Sequence, residues 1–277
     1  MIHSGLNKEI QKGWQAELEL GFATNQHKTL LVKRQHKGPL TVQRPFYPEG
    51  GVCHVYILHP PGGIVAGDNL SILINAAECS HALLTTPAAG KFYRSTGKLA
   101  MQSVSIKIAK DAALEWLPQE TIIYEGANLK SVVKVELETG GRFIGWEILS
   151  LGRPASGEGF TSGLADMSWQ IFCDKRPLFL ERLQIDAKAF SARWGLQGFP
   201  ACGTFFASPA TAETLASIQS LIADSPGRGV TRIDDMLVCR AVDDRSDRLR
   251  SFFEQVWTLV RPDTVLTKAC APRIWAT

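Results

Sequence analysis

The sequence predicts a mostly-β fold with two α-helices near the C-terminus. Three observations carry this. Apolar residues alternate with period two from Trp14 to about Asp186, glycine- and proline-rich turns cut that alternation into short runs, and two late segments switch to helical three-and-four spacing.

Taken in order, the first run puts Ala16, Leu18, Leu20 and Phe22 on one face. Gly38-Pro39 and Pro48-Glu49-Gly50-Gly51 then turn the chain. Val52 to Leu58 and Leu70 to Ile74 read as strands flanking His59-Pro60-Pro61-Gly62-Gly63-Ile64-Val65-Ala66-Gly67-Asp68. Two prolines fix φ there and the glycines permit positive φ, so the link is sharp and rigid and holds Asp68 in a fixed place. Alternation resumes at Val104, Ile106 and Ile108, at Val133, Val135 and Leu137, and at Ile144, Trp146 and Ile148. Gly140-Gly141, between the last two runs, is the strongest hairpin signal in the chain. Trp169, Ile171 and Cys173 follow, then Leu183 and Ile185. Thr211 is placed to cap a helix through Leu215, Ile218, Leu221 and Ile222, stopped by Pro226-Gly227. Ser246 is placed to cap a second, with Leu249, Phe252, Phe253, Val256, Trp257 and Val260 on its apolar face and Pro262 at its end. With no fixed-period repeat, low-complexity tract or linker, one domain over residues 1–277 is the economical reading.

A net charge of +3 is too small to argue for a nucleic-acid partner. Met1 to Gly13 lacks the apolar core of a signal peptide, and no apolar run approaches the roughly 18 residues of a membrane span. The six cysteines (53, 79, 173, 202, 239 and 270) show no CxxC pair, which fits free thiols in a reducing compartment. The expectation is a soluble cytoplasmic protein.

Several chemistries can be tested against spacing. Gly62 to Gly67 has the glycine interval of a phosphate-binding P-loop, but Asp68 stands where that loop needs a lysine, and a carboxylate there repels phosphate. Gly90-Lys91 and Gly97-Lys98 lack the following hydroxyl residue. No GxSxG elbow occurs, and Cys53-His54 and Cys79-x-His81 have no second ligand pair, so packing or surface placement explains them better than a tight structural metal site. The carboxylates are more informative. Glu49, Asp68, Glu115, Glu120, Glu125, Glu147, Glu158 and Glu181 stand singly beside glycines, aromatics or apolar residues. Strict alternation puts Glu147 opposite Trp146, where plain solvation is the simple explanation. Lining an internal passage instead, such oxygen donors would hold a borderline dication weakly enough to pass it on. The rival is a small-molecule enzyme using such groups as general acid and base, which requires two carboxylates, or a histidine and a carboxylate, converging in one pocket.

Seven segments in register then point to a family. They are Gly38 to Gly50, His54 to Asp68, Leu83 to Ser95, Leu114 to Ala127, Gly145 to Glu158, Trp257 to Pro262 and Pro272 to Thr277. Together they closely resemble the urease accessory protein D family (UreD, also called UreH). Gly90 departs from it, since relatives often carry a small hydroxyl residue there. The resemblance implies a helix-like stack of many short strands with two C-terminal α-helices, and a non-enzymatic role. It further implies a scaffold or metallochaperone on apo-urease that recruits UreF and, through it, the GTPase UreG. Nickel would be carried in transit along an internal tunnel to the urease active site, with no tightly bound cofactor. Within that reading Asp68, Glu49, Glu147 and Glu181 are the carboxylates expected along the nickel path. Lys91, Tyr93 and Arg94 would shape a partner surface or the fold. Phe252, Phe253 and Trp257 are candidates for the UreF contact, with core packing the stronger alternative for each.

Overall fold

The computed structural model describes residues 13–95 and 97–276. The N-terminal stretch read above as lacking a signal-peptide core lies, up to residue 12, outside them. Strands run in chain order as β1 (Gln15–Asn25), β2 (Lys28–Lys37), β3 (Thr41–Val42), β4 (Cys53–Leu58), β5 (Asn69–Ala76), β6 (His81–Thr85), β7 (Gly90–Phe92), β8 (Ala100–Ile108), β9 (Ala113–Trp116), β10 (Thr121–Ile123), β11 (Asn128–Leu137) and β12 (Arg142–Leu151). They continue as β13 (Leu164–Cys173), β14 (Arg176–Ile185), β15 (Ala201–Ser208), β16 (Arg228–Ile233) and β17 (Met236–Asp243), with helices α1 (Ala187–Ser191), α2 (Ala212–Ile222) and α3 (Ser246–Thr264).

The alternating runs form a β-solenoid-like stack of about four turns. From β4 to β13 the long strands alternate between two sheets, and each pairs in parallel with the strand one turn away. β1, β5, β8, β11 and β13 stack in the first sheet; β4, β6, β9 and β12 stack in the second. Alternation is read directly as inward ladders: Leu18, Ile72, Val104, Val133 and Trp169 form one row, and Leu20, Ile74, Ile106, Val135 and Ile171 the next. Antiparallel β14 closes one end of the first sheet, and β15, β17 and β16 extend the second. A narrow third face stacks Ile64, Phe92, Ile123 and Leu151. The Pro-Pro-Gly-Gly link is therefore its first rung, and Gly63 is required because a Cβ there would stand 2.1 Å from the Tyr93 ring.

Gly140-Gly141 does not make a hairpin. β11 lies between β8 and β13 in the first sheet, while β12 lies between β9 and β15 in the second. The turn is a solenoid corner, with Gly140 at φ +89° and Gly141 N–H donating to Glu138 C=O at 2.8 Å. Tight-turn chemistry is real there, but the partner of each strand is one turn away rather than next in sequence.

One apolar core fills the space between the sheets, and a second lies between the outer face of the second sheet and the helices. Thr211 caps α2 as expected, accepting from Thr214 N–H at 3.2 Å. Two expectations for α3 need correction. Arg245, not Ser246, is the N-cap and uses no side-chain bond there; its guanidinium pairs with Asp247 instead. Pro262 lies inside the last turn, which continues to Thr264 with Val265 N–H donating to Arg261 C=O at 3.0 Å. A proline so near the end removes a single donor, and the anchored Arg261 beside it holds the turn. Short α1 escaped the periodicity because five residues carry too little pattern; Asp186 caps it through Ala189 N–H at 2.7 Å. Phe253 and Trp257 are buried in the second core, and Phe252 is half-buried beside Arg228. All six cysteines are free, and among the described residues no helix is long and apolar enough to cross a membrane.

Gly203 faces α3, and an added Cβ would meet the Phe253 ring at 2.7 Å and the Glu147 carbonyl oxygen at 2.8 Å. Gly203→Val should therefore lower the unfolding free energy by about 1–3 kcal/mol through overpacking, measured by urea denaturation; unchanged stability would show that α3 does not pack this tightly.

Candidate functional site

The predicted carboxylates fall into three environments. Glu49 belongs to a buried ion cluster beneath α3. His54 and Glu115 project from the outer face of the second sheet, because Cys53, Ala82 and Leu114 take the inward places beside them. Trp257 and Arg261, four residues apart on α3, meet them from the helix side. The Arg261 guanidinium grips Glu49 with both terminal nitrogens at 2.7 Å and donates to Glu115 at 2.9 to 3.1 Å. It also donates to the Lys268 carbonyl. Trp257 Nε1–H adds a bond to Glu115 at 2.7 Å; His81 lies 2.9 Å from the same carboxylate and His54 lies 2.5 Å from Glu49. Burial alone would raise the Glu115 pKa, but His81 and Arg261 overwhelm it and hold the carboxyl down at about 2. Glu49 is lowered too: burial opposes ionisation, and His54 and Arg261 favour it more. Every oxygen of both groups is engaged, so this cluster is a clamp on the fold.

Asp68 closes the turn it was expected to close. Its Oδ1 accepts from Trp14 N–H at 2.7 Å and its Oδ2 from Val65 N–H at 2.9 Å, tying the Gly-rich link to the start of β1. It is absent from the walls of the two cavities described next. The neighbouring His59 lines the first of them; burial lowers its pKa, and Asp68 offsets part of that.

Glu147 and Glu181 are brought together. A cavity of about 430 Å³ opens between the Pro-Pro-Gly-Gly link, Lys91 and the inner faces of both sheets. A second, of about 320 Å³, lies where the antiparallel strands extend the stack. Glu147 and Trp169 belong to the walls of both. Glu147 thus points inward between the sheets, where it is half-buried in the cavity walls rather than on the outer surface. Across the second sheet it begins the row Glu147, Thr204, Arg240, Gly229, which faces Trp169 and Glu181 of the first. Burial pushes the Glu147 pKa up to about 7, the nearby Trp169 indole relieves this in part, and the Glu181 charge adds to it. Glu181 is also raised by burial, with Arg240 pulling it back through a direct hydrogen bond. Cys202, in the same wall, has its thiol pushed up to about 12 by burial and by the two carboxylates, so it stays protonated. Among the described residues no group of three or more histidine, cysteine or acidic side chains could hold a metal ion. Two carboxylates do share a cavity, as the rival enzyme reading required, but Glu181 is tied up in an ion pair with Arg240.

Sequence reasoning missed Arg240, Trp169 and Arg261. Arg240 left a signal: it is the one charge inside Met236–Asp243 before the terminal aspartate, between Cys239 and Ala241. Tyr93 and Arg94 pack against Gly63 and Gly126 and serve the third face and its corners.

The family model for UreD, the UreD urease accessory protein, matches residues 15–276. Curated relatives named urease accessory protein UreD include that of Alkalilimnicola ehrlichii, 41% identical over 97% of this chain and 93% of its own length. That of Marinobacter nauticus is 43% identical over 99% and 96%, and that of Klebsiella pneumoniae 39% identical over the whole of both chains.

Two stability tests separate the clamp from the cavity. Arg261→Met leaves two buried carboxylates without their cation and should cost about 3–5 kcal/mol in denaturant unfolding. Adding Glu49→Gln and Glu115→Gln should recover part of that loss; a triple variant no more stable than Arg261→Met would refute charge compensation. For Glu147 the folded pKa of about 7 exceeds the ordinary 4.5, so its contribution is present below pH 4.5 and is lost as pH rises to 7. Relative to Glu147→Gln, the wild-type chain should lose stability across that window, at no more than about 1.4 kcal/mol per pH unit, and then level off. Parallel stability–pH curves for the two proteins would show that Glu147 is not desolvated.

Proposed function

Because the chain belongs to the UreD urease accessory protein family, and so serves urease maturation without a catalytic reaction of its own, we propose that it is a scaffold on apo-urease through which nickel passes. In this reading UreF joins the scaffold and brings the GTPase UreG, whose nucleotide chemistry this chain has no P-loop to perform. Nickel is cargo here, and the inter-sheet cavities are its route.

The observation that carries the proposal is the placement of Glu147 in the walls of both cavities, with Glu181 beside it in the second. Their donor chemistry suits passage. Carboxylate oxygens bind a borderline dication more weakly than thiolate or imidazole sets, and the one thiol in the wall is held in its protonated form. An acid whose carboxylate is desolvated and under-compensated gains most from an arriving cation and can surrender its proton to make room. Glu49 and Asp68, whose oxygens are already engaged, are assigned to the fold in this version of the path.

The test is a double Glu147→Gln, Glu181→Gln variant co-expressed with urease and the other maturation proteins. Nickel content of the purified urease, read by elemental analysis, should fall several-fold while the variant still co-purifies with apo-urease. Fully loaded urease from that strain would rule out these carboxylates as the route.

A further inference from the structure

One ion pair spans the second cavity from sheet to sheet. Glu181 stands on β14 at the end of the first sheet, Arg240 stands on β17 in the second, and their side chains meet across the gap. The pair is asymmetric. The carboxylate is largely withdrawn from water, at 20% side-chain exposure, whereas the guanidinium reaches it from a position 56% exposed. Arg240 also has somewhere to go. Its cross-strand neighbour on β16 is Gly229, and no atom lies within 4 Å of the place a Cβ would occupy there. Thr204 stands between Glu147 and Arg240 in that row.

A guanidinium on a carboxylate supplies the positive charge and the directed bonds that a metal ion would otherwise supply, so it occupies the ligand. We propose that Arg240 is a resident cation that keeps Glu181 closed to free divalent ions, and that an ion enters by displacing the guanidinium into the open space beside Gly229. This rests on reading the cavities as a passage. The consequence is selectivity by delivery. Ions at low free concentration compete poorly with a tethered charge, whereas an ion released by a docked partner arrives at high effective concentration and displaces it.

The experiment measures Ni²⁺ binding to the full-length protein by calorimetry at fixed salt and pH. Arg240→Ala and Arg240→Gln should each bind Ni²⁺ more tightly, on the order of tenfold, because the ligand no longer has to be vacated. The gain should vanish when Glu181→Gln is added to either variant. Unchanged affinity in both single variants, with native circular dichroism, overturns the latch, as does a gain that survives Glu181→Gln. Failure of the passage reading is seen elsewhere, in the nickel content of urease matured with Glu147→Gln, Glu181→Gln, and does not alter these binding constants.

Discussion

Arg261 is the residue through which distant parts of the chain are made to agree. Its guanidinium joins Glu49, 212 residues earlier and ahead of β4, to Glu115 on β9, 146 residues earlier, and to the chain beyond α3. A charge with no exposed surface is tolerated only when its partners are all present and correctly placed. The cluster therefore demands that the first and middle turns of the solenoid be in register and that α3 lie at one angle and one height on the second sheet. Trp257, bonded to Glu115, and Phe253 one turn before it pack into the second core. Neutralising buried charge adds little net stability by itself; what it excludes is every arrangement in which one of those partners is missing.

With α3 covering its outer face, β12 is buried on both sides, Ile144, Trp146 and Ile148 toward the helix and Phe143, Leu149 and Leu151 toward the first sheet. Inside the parallel stack, ladders of branched residues line that inner space and wall the first cavity. Where β15, β17 and β16 carry the second sheet onward, the facing strands are β13 and the edge strand β14, and the filling changes. The row that begins as Leu18, Ile72, Val104 and Val133 ends in Trp169 and Glu181. The second cavity is thus placed at the end of the solenoid, where the apolar ladders give way to Glu181, Thr204 and Arg240 and two sheets of different construction face each other.

Much of this was legible in the sequence and some of it could not be. Ala16, Leu18, Leu20 and Phe22 were correctly read as one face, because an inward ladder requires alternation whatever the strand pairs with. Gly140-Gly141 was misread for the same reason: turn chemistry reports where the backbone bends and is silent about the strand one turn away. Glu147 was correctly placed opposite Trp146, but whether that side was water or cavity depended on the first sheet, which alternation within β12 cannot reveal. Arg240 was visible only as a charge in an apolar strand, since its partner Glu181 lies 59 residues away. The Arg261 cluster was invisible in the same sense, although four of the family-bearing segments contain its members.

Glu115 and Glu147 lie on neighbouring strands and on opposite faces of one sheet, and their environments shift them in opposite directions. Glu115 receives an arginine, an indole N–H and an imidazole, and its carboxyl is held down at about 2. Glu147 receives burial, relieved in part by an indole, and a neighbouring carboxylate, and rises to about 7. A carboxylate that holds a fold must be compensated completely, because any charge left over is paid for in stability at every moment. A carboxylate that exchanges a cation must be left short of compensation, or the arriving ion has nothing to gain. The clamp on one face of the second sheet makes the wall whose other face carries Glu147, and on the proposed route Arg240 sets how far the neighbouring Glu181 is compensated.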